Sequence, residues 1–183
     1  MQHIQQYLTD LKIALDALDP AQIEAVRDHE AAVRERGGQL FLCGNSGSAA
    51  TASHLGNDLG KGASYGRQGP RFRVIALTDN VPWITALAND VGHDDVVFAE
   101  QLRNLGQPGD VLLAISGSGN SPNILAAVRI AREIGMEVVV WTGFGGGELA
   151  GVADSHHMGR VEDVHTILMH LVCYYFLEEE AQA

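Results

Sequence analysis

Four short apolar runs punctuate the chain, at 39–43 (QLFLC), 72–78 (FRVIALT), 110–116 (DVLLAIS) and 137–142 (EVVVWT). They are largely unalternating and most are rich in branched side chains, the pattern of strands covered on both faces of a parallel sheet. Stretches with helical spacing separate them, at roughly 48–60, 81–89, 94–105 and 121–135. Such an order predicts an α/β fold, a doubly wound parallel sheet with helices on both faces. A fifth strand is expected near 155–159 (SHHMG), and a long helix from about Val161 to Glu179 closes the chain.

Residues 1–36 precede the first strand and space Ile4, Tyr7, Leu8, Leu11, Ile13, Leu15 and Leu18 helically. Asp19 then offers a cap, Pro20 suits a first helical position, and Ile23, Val26 and Ala31 continue the pattern. A length of 183 residues suits one domain, 1–183, whose segment 1–36 packs on the domain or on a neighbouring subunit. A net charge of −11 with scattered Lys and Arg argues against a nucleic-acid partner. The amphipathic, charged N-terminus is neither a signal peptide nor a membrane span. Cys43 and Cys173 are the only cysteines, which suggests a reducing compartment, so a cytoplasmic location is expected.

Two of the strand ends share one design. The first runs into Cys43-Gly44-Asn45-Ser46-Gly47-Ser48 and the third into Ser116-Gly117-Ser118-Gly119-Asn120-Ser121, each followed by a helix. Glycine allows a tight turn and close backbone approach, serine hydroxyls donate, and a helix N-terminus adds unpaired N–H groups. An oxyanion such as phosphate fits both loops, at the carboxyl ends of strands where open α/β sheets bind ligands. Neither loop is a dinucleotide or nucleoside triphosphate fingerprint. The third glycine-rich stretch, 142–151, reads as a strand-to-helix turn.

His54 and Asp58 fall at i and i+4 on the helix after the first loop. On the last helix Val161, Val164, Leu168, Leu171 and Tyr175 predict a core stripe, with Glu162, Thr166 and His170 opposite. From Ile167 to Leu177 that helix is apolar nearly all round, so its second face is expected against another subunit. His54, Asp58, Glu162 and His170 have the composition of a zinc site. Spacing alone leaves open whether the two pairs meet.

The stretches CGNSGSAATASHLGNDL, ALTDNVPWITALANDVGHDDVVFAEQL, GDVLLAISGSGNSPNILAAV, TGFGGGELAGVAD and RVEDVHTILMH resemble the sugar isomerase (SIS) domain family over most of the chain from about Leu40 onward. The resemblance implies a flavodoxin-like, five-stranded parallel sheet and a homo-oligomer, a tetramer with active sites between subunits. It implies aldose–ketose isomerisation of a phosphorylated sugar, with sedoheptulose 7-phosphate the first candidate. Asn45, Ser48, Ser116, Gly117, Ser118 and Ser121 then match phosphate-loop positions, and Asp90 a substrate-contacting aspartate. His54 and His170 match zinc-associated histidines, with His170 also the acid. Asp58 stands where the family has its catalytic glutamate, and Glu162 where it has a glutamine near substrate and metal. Gly159 falls where the resemblance leads one to expect an additional sugar-contacting aspartate, in a stretch shorter than the family's. The change at Asp58 keeps a second function open, that of a non-catalytic phosphosugar-binding protein with a regulatory or assembly role; isomerisation of another phosphosugar is a third.

Overall fold

A computed structural model describes residues 2–91, 96–152, 155–158 and 161–181. Two helices lead, α1 (Gln2–Asp16) and α2 (Pro20–Glu35), and Asp19 caps the second by accepting from the Ala21 N–H at 2.9 Å. Strands β1 (Gln39–Gly44), β2 (Arg73–Ala76), β3 (Val111–Ser116) and β4 (Glu137–Thr142) follow in chain order. They alternate with α3 (Gly47–Asn57), α4 (Val81–Asp90), α5 (Ala99–Leu105) and α6 (Pro122–Ile134). A short β5 (Ser155–Met158) and the 21-residue α7 (Val161–Ala181) complete the chain.

The sheet is parallel throughout, in the order β2-β1-β3-β4-β5. Four strands form its body. The fifth is a four-residue edge segment on β4, so the expected five-stranded sheet is uneven. Gly159 lies outside the described residues. β2 also departs from the expected double burial: it stands at the opposite edge, and Ile75 is exposed. The strand order reverses between β1 and β3, which places the two serine-rich loops side by side at the crevice where such sheets bind ligands.

Successive strand residues point to opposite faces, so each strand feeds two cores. Leu40, Leu42, Leu113, Ile115 and Trp141 join Val26 and Val33 of α2, Leu55 of α3, and Leu168, Val172 and Phe176 of α7. Phe41, Cys43, Leu112, Ala114 and Val140 meet Leu102 of α5 and Ile124, Ala127 and Ala131 of α6 on the other face. α1 lays Leu11 and Leu15 partly into the first core, joined by Leu18 of the turn that follows, and leaves Ile4, Tyr7 and Ile13 exposed.

α7 is turned from its expected orientation. Val164, His165, Leu168, Met169, Val172, Cys173 and Phe176 are buried, whereas Leu171 and Tyr175, expected in the core stripe, are 49% and 44% exposed. A helix apolar all round contains more than one continuous stripe, and packing selects between them. His165 completes the buried side, where its Nε2–H donates to the Thr142 carbonyl at 3.3 Å.

Candidate active site

The first loop is shaped by close approach. A Cβ on Gly44 would lie 2.6 Å from the Ser48 backbone, so the strand enters α3 only through glycine. Ser46 adopts φ 52°, a conformation costly for a residue with a Cβ, and Ser48 is buried in the first turn of α3. In the second loop Ser116 is buried and its Oγ lies 3.3 Å from that of Ser121, while Ser118 and Asn120 face solvent.

A double amide contact ties the two loops together. Asn45 Nδ2 donates to Asn123 Oδ1, and Asn123 Nδ2 donates back to Asn45 Oδ1, both at 2.9 Å. The glycine-rich turn at 143–147 closes on the second loop from the other side. The Gly143 N–H donates to the Gly117 carbonyl, the Leu149 N–H to the Gly119 carbonyl, and the Glu148 N–H to Asn120 Oδ1 at 2.9 Å. A Cβ on Gly119 (φ +68°) would stand 1.9 Å from the Gly146 oxygen, and one on Gly147 (φ +55°) 2.5 Å from the Ser118 oxygen. The turn therefore braces the loop. Asn120 and Asn123 went unassigned in the sequence, although an asparagine recurs in both strand-to-helix loops.

His54 and Asp58 lie one turn apart, with Nε2 and Oδ2 separated by 3.4 Å. His170 of α7 meets them: its ring stands edge-on to that of His54 at a centroid distance of 5.2 Å and stacks on Tyr174 at 5.6 Å. One ligand atom from each of His54, Asp58 and His170 lies within 4.8 Å of the others. All three come from one chain. Asp58 opens a single π turn, Asp58–Gly62, in which the Ala63 N–H reaches the Asp58 carbonyl at 2.7 Å. Such turns recur at functional sites, and this one continues α3 without interruption.

Glu162, expected as a fourth metal ligand, is not part of this group. Its carboxylate instead lies over Gly47, where an added Cβ would come within 2.2 Å of Oε1. Glu162 thus meets the start of α3 while His170, eight positions later, meets its end, so the two helices run in the same direction. The serine loop and the group of three are separated by on the order of 10 Å along α3, at 1.5 Å per residue. Asp90 is exposed at the end of α4, where Oδ1 accepts from Asn89 Nδ2, and it is likewise outside the group.

Two buried groups lie behind the site. Glu30 of α2 is 1% exposed, and neither of its carboxylate oxygens has a hydrogen-bond partner among the described residues. Burial raises its pKa from 4.5 to about 8. Cys173, one turn beyond His170, is held as a thiol mainly by burial and then by the charges of Glu30 and Asp58.

The serine loops on a parallel sheet and the convergent His-Asp-His group define a class. The chain belongs to the SIS domain family, which matches residues 5–143. Within it, the similarity is to phosphoheptose isomerases. The enzyme of that name from Alteromonas mediterranea is 39% identical over 88% of this chain and 85% of its own. That from Rhodospirillum rubrum is 40% identical over 92% and 90%. The solved phosphoheptose isomerase of Francisella tularensis superposes with a TM-score of 0.87 at 30% identity, covering 97% of each chain. These relatives make the chain an enzyme of the aldose–ketose isomerase class.

Proposed function

We propose that this chain interconverts sedoheptulose 7-phosphate and D-glycero-D-manno-heptose 7-phosphate through an enediol. The observation that carries the site assignment is the meeting of His54, Asp58 and His170, from helices more than a hundred residues apart in sequence, beside paired serine loops. The loops hold the phosphate through Asn45, Ser48, Ser116, Gly117, Ser118 and Ser121, aided by the N-terminus of α6 and, once the Glu162 carboxylate moves off Gly47, by that of α3. The sugar chain then lies along α3 with its carbonyl end at Asp58. Asp90 is given the sugar hydroxyls on the resemblance alone.

Asp58 takes a proton from C1 of the ketose, and the electron pair of that C–H bond becomes the C1–C2 double bond. His170 gives a proton to the former carbonyl oxygen at C2. In the second half Asp58 returns its proton to C2 while the C1 hydroxyl gives its proton to His170, leaving the aldehyde. Both residues end as they began, so the cycle consumes nothing.

Two imidazoles and one carboxylate suit zinc and leave a position open for substrate. Zinc bound by His54, Asp58 and His170 would polarise the carbonyl and stabilise enediolate charge. Proton transfer would then fall to the second carboxylate oxygen of Asp58 and the second ring nitrogen of His170. Glu162 would have to leave Gly47 to join them. A homo-oligomer, most simply the tetramer of the resemblance, is supported by Leu171, Tyr174 and Tyr175, exposed on α7 beside His170. Cytoplasmic residence is supported by the two free, buried cysteines; no helix among the described residues is long and apolar enough to cross a membrane.

The test is turnover of a panel of ketose phosphates, with and without added zinc, followed by NMR. Sedoheptulose 7-phosphate is expected to be converted, with Asp58→Asn and His170→Gln inactive yet still binding it. Saturable binding without turnover of any sugar would refute catalysis and leave a binding protein.

A further inference from the structure

Asn123, in the first turn of α6, takes no part in the chemistry above, yet with Asn45 it makes the one side-chain pair among the described residues that links the two loop-to-helix units. We propose that Asn123 is a positioning residue that sets the spacing of these loops and the orientation of the Asn45 amide, and so governs affinity for the phosphate group. The inference rests on the phosphate-loop reading above.

A side-chain amide carries two N–H donors and one carbonyl oxygen. In the reciprocal pair each amide spends one N–H and one lone pair on the other. Asn45 is therefore fixed in plane and retains one N–H for a ligand at the first loop. Without Asn123, the Asn45 amide is free to rotate and to present its carbonyl to an anion. The partners come from different strand-to-helix units, 78 residues apart, and span the β1–β3 crevice. The other side of the second loop is held separately by Asn120 and the glycine turn. Loss of the amide pair frees only the edge that faces the first loop. His54, Asp58 and His170 lie at the far end of α3, so the chemical step is not touched.

The expected signature is a rise in KM with kcat retained. Two hydrogen bonds of ordinary net strength correspond to roughly a tenfold or greater loss of affinity. The experiment compares wild type with Asn45→Ala, Asn123→Ala and the double variant, measuring steady-state turnover of sedoheptulose 7-phosphate and calorimetric binding of inorganic phosphate. Asn123→Ala is expected to raise KM and the phosphate Kd about tenfold, with kcat within about twofold of wild type. If Asn123 acts through Asn45, the double variant is no worse than Asn45→Ala, because residues sharing one interaction are not additive.

Should Asn123→Ala not fold, Asn123→Asp carries the test. It keeps the shape and one of the two hydrogen bonds, removes the donor to Asn45 Oδ1, and is expected to weaken phosphate binding at least as much. Unchanged KM and phosphate Kd in a folded variant overturn the proposal, as does full additivity in the double variant. A wild-type chain that binds phosphate without turning over the sugar refutes the isomerase reading instead, and the phosphate comparison still decides the role of Asn123. A wild type that binds no phosphate refutes both.

Discussion

Replacing Glu30 by Met should make the protein more stable, and increasingly so as the pH rises. Glu30 is 1% exposed with no hydrogen-bond partner for either oxygen among the described residues. Of the charged groups around it, Arg34 one turn on pairs with Glu35 and lies over the Phe72 and Phe176 rings, and Cys173 across the helix contact is an uncharged thiol. Burial raises the Glu30 pKa from 4.5 to about 8. Between these values the unfolded chain has released this proton and the folded chain has kept it. The stability present below 4.5 is therefore lost as the pH climbs towards 8. At 1.36 kcal/mol per pKa unit the full loss is roughly 5 kcal/mol, an upper bound because buried sites relax and admit water. Met is flexible enough to fill the space without the charge. Urea unfolding at fixed protein concentration, at pH 5, 6, 7 and 8, should show the advantage of Glu30→Met growing by about 1 kcal/mol or more per pH unit. An advantage that stays constant across this range would refute the reasoning, since only a titrating group produces the slope.

His165 should give the opposite pH signature. Burial holds its pKa below the ordinary 6.5, so the stability it carries is present above that value and is lost as the pH falls; His165→Leu should flatten the decline measured by thermal unfolding between pH 7 and 5. Gly119→Ala should cost about 2 kcal/mol or more, from a left-handed backbone and a collision with the Gly146 oxygen. Gly145→Ala, whose added Cβ meets nothing within 4 Å, should cost far less, and similar unfolding midpoints for the two would count against the brace described above.

The parts of this protein that were legible in sequence are those built from local chemistry. Unbroken runs such as VLLAI signal a doubly buried strand without knowledge of its neighbours, and Asp19-Pro20 announces a helix start. The serine and glycine loops are legible as strand-to-helix turns for the same reason, since the residues that make the turn are consecutive. What required the fold was the choice between equivalent possibilities. α7 has apolar residues on every side, so Leu171 and Leu168 are indistinguishable until α2 and α3 occupy one flank. The meeting of His54 and Asp58 with His170 depends on two helices running in the same direction, which no spacing encodes. Glu162 has the right chemistry for a metal set and the wrong place, over Gly47. Glu30 reads as one charged residue among several on an amphipathic helix, and its isolation follows only from the packing of α7 against α2.

The interlocked segments 117–120 and 143–147 also bear on how such proteins can be rebuilt. Each segment occupies the volume that a side chain on the other would need, through Gly119 on one side and Gly147 on the other. They form a single packed unit written in two places along the chain. Transplanting one without its counterpart would set foreign backbone against a surface it was not shaped to meet. A chimera that exchanges both together keeps the match, so recombination between relatives should tolerate breakpoints outside 117–147 far better than a breakpoint inside it.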